Sequence, residues 1–135
     1  MPPEGNRILF DESQNTIGID GLKADFYQAY LSGAELRGAM LSGVDLFGAD
    51  LSAADLRGSE LSHANLCKAD LSGADLRRAN LYGADLSDSN LCGADMDDAT
   101  LIGVNLEKAK FDGFTVWPID FDPLFYGAIQ VRPAF

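Results

Sequence analysis

The sequence predicts an all-β solenoid, a square coil of stacked turns, and three observations predict it. From Ala24 to Gly113 the chain repeats every five residues for eighteen units without an insertion or deletion. The third position of each unit is Leu in fifteen units, Phe in two (Phe26, Phe111) and Met in one (Met96), while the first is Ala in fourteen, Val in two and Ser in two. The fifth position is Gly in ten of the eighteen. Internal repeats of this kind decide the architecture before any single element is assigned.

The period excludes the two ordinary solutions. Five residues of α-helix turn through roughly 500°, so the Leu side chains would spiral around the whole surface. An odd period in a flat strand sends successive Leu residues to opposite faces. A chain that turns a corner every five residues keeps Leu and Ala, two residues apart, on the inside of the bend. Four right-angle corners close one coil of twenty residues, and stacked coils pair backbone groups at about 4.8 Å per coil. Eighteen units at four per coil make about 4.5 coils, a rod roughly 22 Å long.

The corners carry their own signature. A type II turn places its third residue at positive φ, where Gly is favoured. Gly33, Gly43, Gly73, Gly83, Gly93 and Gly103 stand there, but one corner reads Gln28, Gly48, Lys68, Asp88, Lys108. That edge is expected to use a different turn type.

The stretch "ADLSGADLRRANLYGADLSDSN", Ala69 to Asn90, shows the pattern A(D/N)LXX plainly. In this it resembles the pentapeptide-repeat family, and the resemblance covers two-thirds of the chain. It implies a right-handed quadrilateral parallel β-helix. The tail "FTVWPIDFDPLFYGAIQ" is similar to the ends of many cyanobacterial members. The resemblance implies little about activity, because most members have no assigned biochemistry.

A solenoid needs closed ends. Residues 1–23 are read as an N-terminal cap: Ile8-Leu9-Phe10 and Ile17-Gly18-Ile19, on either side of "DESQNT", are expected to be short extended segments over the first coil. Residues 24–113 form the β-helix, and residues 114–135 a C-terminal cap. Asp122 before Pro123 resembles an N-cap with Pro at the first helical position, opening one short helix through about Ile129. The aromatics Phe111, Phe114, Trp117, Phe121, Phe125, Tyr126 and Phe135 are expected to cover the open coil; the alternative makes that end an end-to-end dimer interface, as in some family members. The start "MPPEGNR" lacks a basic, then apolar leader, and no run approaches a bilayer span, so a cytoplasmic protein without membrane contact is expected.

Function has to reside on the surface. Net charge is −11, and the repeat holds fifteen acids against seven bases, with ten of the acids at second positions. On one face Glu35, Asp55, Asp75 and Asp95 fall in register beside Arg37, Arg57, Arg77 and Asp97. They form either a mutually neutralising ladder of exposed pairs, each worth little, or an acidic face for a basic partner. Tyr27, Phe47 and Cys67 make a second column, read as ladder stacking or as a contact patch. Cys67 and Cys92 lie twenty-five residues apart, on adjacent faces, so two free thiols are expected.

Catalytic chemistry has no visible seat. The single His, His63, sits at an outward fifth position with no second ligand or nucleophile in register. No phosphate loop, zinc spacing or nucleophile elbow occurs, and exposed carboxylate pairs lack the burial that separates pKa values. No cofactor or metal is expected. The residues support a non-catalytic interaction or scaffold module with a protein partner, as a monomer or end-to-end homodimer. The alternative, suggested by the resemblance, is an acidic DNA mimic that binds DNA gyrase or another DNA-binding protein. Direct nucleic-acid binding is disfavoured, since phosphates need a positive surface.

Overall fold

The computed structural model describes residues 26–132, together with the backbone of Leu9–Phe10 and Thr16–Gly18. Over the repeat, residue i pairs in parallel with residue i + 20, from Tyr30↔Asp50 to Asn90↔Lys110. Four five-residue units therefore close one turn of a four-faced β-helix. All eighteen third-position side chains are buried, as are the first-position residues from Ala29 to Ala109 except the half-buried Ala34. Ser59 and Ser89 take Ala positions, and their buried hydroxyls have no partner among the described residues.

The five-residue unit follows from its backbone hydrogen bonds, every one of which must find a partner when buried. Three N–H groups per unit reach neighbouring coils: Asp50 donates to the Ala29 carbonyl (2.9 Å), Leu31 to the Asp50 carbonyl (2.8 Å) and Gly33 to the Ser52 carbonyl (2.8 Å). A fourth closes the corner, as Ala34 N–H to the Leu31 carbonyl (3.0 Å). The remaining N–H, at the fourth position, has no backbone acceptor. The second-position side chain supplies one: Asp45 accepts from Phe47 N–H at 3.0 Å, Asn65 from Cys67 N–H at 3.1 Å, Asp85 from Ser87 N–H at 2.9 Å. Short Asp and Asn side chains reach two residues on in this way, whereas longer ones overshoot. The (D/N) of the repeat is thus a structural acceptor.

The expectation of a different turn along the Gln28 edge is corrected. Gln28, Gly48, Lys68, Asp88 and Lys108 all have φ between 53° and 64°. The corners are alike; what varies is the room beside them. A Cβ on Gly48 would meet Gln28 Cγ at 3.1 Å, and one on Gly83 would meet the His63 ring at 2.6 Å. Gln28 and His63 lean over the next corner and leave room there only for Gly, whereas Lys68, Asp88 and Lys108 follow one another without a Gly.

Non-Gly residues at such corners carry strain of about 1–2 kcal/mol, and Ala53, at φ 57°, has no polar side chain to offset it. Ala53→Gly is expected to raise stability by about 0.5–1 kcal/mol after the entropic cost of Gly. Urea unfolding measures it; an unchanged or lower midpoint would contradict the strain.

The last unit leaves the register. Gly113 does not take positive φ, the pairing shifts to Asp95↔Val116, and one extra residue enters the turn. Side chains fill the gap: Gly93 N–H donates to Asp112 Oδ1 (3.1 Å) and Thr115 Oγ1 (3.2 Å), and Thr115 Oγ1 donates to the Leu91 carbonyl (2.8 Å).

The expected C-terminal helix is also corrected. Asp122 caps as anticipated, accepting from Leu124 N–H at 3.0 Å, but only a 3-10 turn forms, Pro123–Tyr126, ended by Gly127 at φ 87°. Gly127 turns the chain back, and Ile129–Gln130 (β4) pairs in parallel with Lys110–Phe111 (β3). At the other end Leu9–Phe10 (β1) and Thr16–Gly18 (β2) form an antiparallel pair. The rest of the cap expected over residues 1–23, like Phe135, lies outside the described residues.

Candidate interaction surface

Glu35, Asp55, Asp75 and Asp95 occupy successive rungs of one bridged column. The fourth-position arginines lie beside them, and two are held in two-pronged ion pairs. Arg57 donates Nε to Asp55 Oδ1 (2.8 Å) and Nη2 to Asp55 Oδ2 (2.7 Å); Arg77 does the same to Asp75 (2.9 and 2.6 Å). Each also approaches the acid of the next coil, Arg57 Nε to Asp75 at 3.6 Å and Arg77 Nε to Asp95 at 3.8 Å. The middle of this face is a neutralised zipper. Negative charge remains at its far end, where Asp97 and Asp98 replace arginine positions. Glu35 and Arg37, at the near end, form no ion pair within 4.0 Å among the described residues.

The zipper moves the carboxyl groups. The Arg57 hydrogen bonds hold Asp55 below the ordinary carboxylate range against an opposing effect of burial, and Arg77 does so for Asp75. A carboxyl lowered in the folded state adds stability that is complete above its unfolded pKa, about 3.9, and disappears as pH falls through the folded value. Carbon-detected NMR titration is expected to give Asp55 a midpoint below that of a free Asp, rising when Arg57 becomes Gln. A midpoint indifferent to Arg57→Gln would contradict the pairing.

The aromatic column is a stack. Tyr27 and Phe47 lie 5.3 Å apart and 5° from parallel, with Lys68 Nζ 5.8 Å from the Phe47 ring centre. Cys67 and Cys92 are both free; burial and the neighbouring Asp112 push the Cys92 thiol up. His63 meets Tyr82 edge-on at 5.4 Å. Among the described residues no cluster of His, Cys, Asp and Glu is arranged to hold a metal ion, and no helix is long and apolar enough to cross a membrane.

The C-terminal aromatics divide into two sets, which composition alone did not separate. Phe111 is buried, Trp117 and Phe121 pack against the core, and the rings run Phe111–Trp117–Phe121–Tyr126 with centres 4.8–5.4 Å apart. Phe114, Phe125 and Ile119 stay 72%, 82% and 89% exposed. Ile102, Pro118, Ile119, Asp120 and Tyr126 line a shallow cavity of about 180 Å³. The expectation that these aromatics serve as a cover holds for the first set and fails for Phe114 and Phe125, which face outward.

The family pattern described as pentapeptide repeats matches residues 22–48, 45–81 and 79–115, in eight copies. No curated protein sequence matches. Among solved structures, a pentapeptide repeat protein from Nostoc PCC 7120, alr5209, is 44% identical over 79% of this chain and 84% of its own, with a TM-score of 0.69. Rfr23 from the cyanobacterium Cyanothece 51142 is 37% identical over 73% of this chain and 67% of its own, with a TM-score of 0.70. A pentapeptide repeat protein of the Arabidopsis thaliana thylakoid lumen is 37% identical over 68% of this chain and 61% of its own, with a TM-score of 0.55.

Proposed function

This chain belongs to the pentapeptide-repeat family, whose fold is a right-handed β-helix, and on that premise we propose that it is a non-catalytic protein-interaction module that makes contact through its C-terminal end. The observation that carries this reading is the exposure of Ile119, which lines a shallow cavity, and of Phe125, whose ring meets Tyr126 of the same lining, on a segment that already covers the core through Trp117 and Phe121. Covering the coil needs only the inner rings. Large apolar side chains left outward in a cluster mark contact surfaces.

A second copy of the chain is the occupant proposed. β4 is the last rung of its face, and among the described residues nothing pairs with its outer edge. An open edge beside an apolar patch accepts another strand, and a two-fold pairing of identical ends closes both at once. The Glu35–Asp95 column and the Tyr27–Phe47 stack remain candidates for a further protein partner. The acidic DNA mimic has less support. Asp55 and Asp75 give both oxygens to arginines, and rungs about 4.8 Å apart present charge more sparsely than duplex DNA, at one per about 1.7 Å.

Sedimentation equilibrium over a range of concentrations tests the reading. The wild type is expected to show a monomer–dimer equilibrium, and Ile119→Ser with Phe125→Ser to remain monomeric with an unchanged circular-dichroism spectrum, since both side chains lie outside the core. A wild type monomeric throughout, or a variant that dimerises equally well, would overturn it.

A further inference from the structure

On this acidic protein one recess is lined by four arginines and a glycine. It has a volume of about 160 Å³ and is lined by Arg37, Arg57, Gly58, Arg77 and Arg78. The repeat builds it directly. Fourth-position Arg37, Arg57 and Arg77 stack on three successive coils, and fifth-position Arg78 stands at the corner next to Arg77. Gly58, at the corresponding corner one coil earlier, has open space where a side chain would project, so the floor is left clear. We propose that this recess binds a phosphate monoester.

The donors are in place for it. Each guanidinium carries five N–H donors. Arg57 and Arg77 each commit two to their own aspartate, which holds the planar group still and leaves three N–H groups over. Groups already fixed lose less freedom when a ligand arrives. The guanidinium groups of Arg37 and Arg78 have no hydrogen bond or ion pair among the described residues. Four guanidinium charges against the three carboxylates within 4.0 Å of them, Asp55, Asp75 and Asp95, leave the recess cationic. A phosphate monoester carries about −1.5 to −2 near neutral pH and offers three strong acceptor oxygens to these donors, where a carboxylate offers two. Arginine forks also suit phosphate oxygens in geometry.

The surroundings restrict the ligand to one phosphate group. In the next coil the arginine columns change to Asp97 and Asp98, which repel the second phosphate of a nucleic-acid strand. The recess is lined by no aromatic ring on which a base could stack. The phosphate is then either that of a phosphorylated serine or threonine on a partner, or that of a free small molecule. The site is separate from the C-terminal end and does not depend on self-association.

Titration of ¹⁵N-labelled full-length protein with inorganic phosphate, against chloride at matched ionic strength, tests the proposal through the arginine Nε–H signals. Saturable shifts confined to Arg37, Arg57, Arg77 and Arg78 are expected, with affinity at least about tenfold weaker in the double variant Arg37→Gln, Arg78→Gln. Neither side chain bonds another group among the described residues, and an unchanged backbone spectrum checks that the fold is kept. Equal response to chloride, equal binding of glutamate, or undiminished binding by the double variant would overturn the proposal. A phosphoserine peptide that binds more tightly than inorganic phosphate, while its unphosphorylated form does not bind, identifies a protein source; equal affinity for peptide and inorganic phosphate identifies a free one.

Discussion

Leu66→Ala is expected to lower stability by about 2–5 kcal/mol, toward the upper end of that range. Leu66 is wholly buried near the middle of the rod, between Leu46 and Leu86 of the adjoining coils. The cost of such a cavity depends on how far the surroundings can collapse into it. Here they are held apart by the backbone ladder: Leu66 N–H donates to the Asp85 carbonyl at 2.7 Å, and Leu46 N–H to the Asn65 carbonyl at 2.8 Å. Closing the void would require breaking these bonds, so it stays open. In a stack whose coils touch only their neighbours, a weak central layer also uncouples the two halves. Denaturant unfolding of Leu66→Ala beside Leu101→Ala, a layer nearer the end, measures both effects. A loss below about 1 kcal/mol at Leu66 would show that the coils are not rigidly spaced.

Truncation after Gly113 is expected to have a still broader effect. It removes the strand edge that completes the last coil: Met96 N–H to the Val116 carbonyl (2.7 Å), Val116 N–H to the Ala94 carbonyl (2.9 Å), Ile129 N–H to the Ala109 carbonyl (2.7 Å) and Val131 N–H to the Phe111 carbonyl (2.8 Å). It also strips Trp117 and Phe121 from the core and uncovers Phe111. An open coil end combines unpaired backbone groups with an apolar layer, the combination that drives edge-to-edge association. The truncated chain is expected to unfold at lower temperature and to scatter light as ragged high-mass species in place of a defined monomer or dimer. A monomeric truncation product with unchanged thermal stability would show that residues 114–135 do not close the rod.

Much of this architecture could be read from the chain because a repeat states its own rules many times. The alternation of Leu and Ala determined what is buried, and the period of five determined that the chain must turn a corner in each unit. Gly at the fifth position disclosed the positive φ. The same corner misled where Gln28, Lys68, Asp88 and Lys108 replaced Gly, because residue identity reports preference, and the stacking imposes the conformation whatever residue is present. The second position misled in another way. Its acids looked like a surface charge pattern, yet Asp and Asn serve there equally as acceptors for the fourth-position N–H. Which backbone donor lacks a partner is known only when the coils are stacked.

At the end of the rod the local signals run out. Asp122-Pro123 correctly marks a cap, but Gly127 and the pairing of β4 with β3 cut the helix to a single 3-10 turn. Composition placed seven aromatics in one tail and could not say which of them face inward. The sequence by itself determined the fold class, the inward set and the columns, since these depend on spacing along the chain. Only the tertiary structure decided that Arg57 and Arg77 neutralise Asp55 and Asp75, that Phe114 and Phe125 face solvent, and that four arginines share one recess. The recess joins residues on three coils, and the Arg–Asp pairs, though two residues apart in one unit, depend on side-chain placement that spacing along the chain does not give.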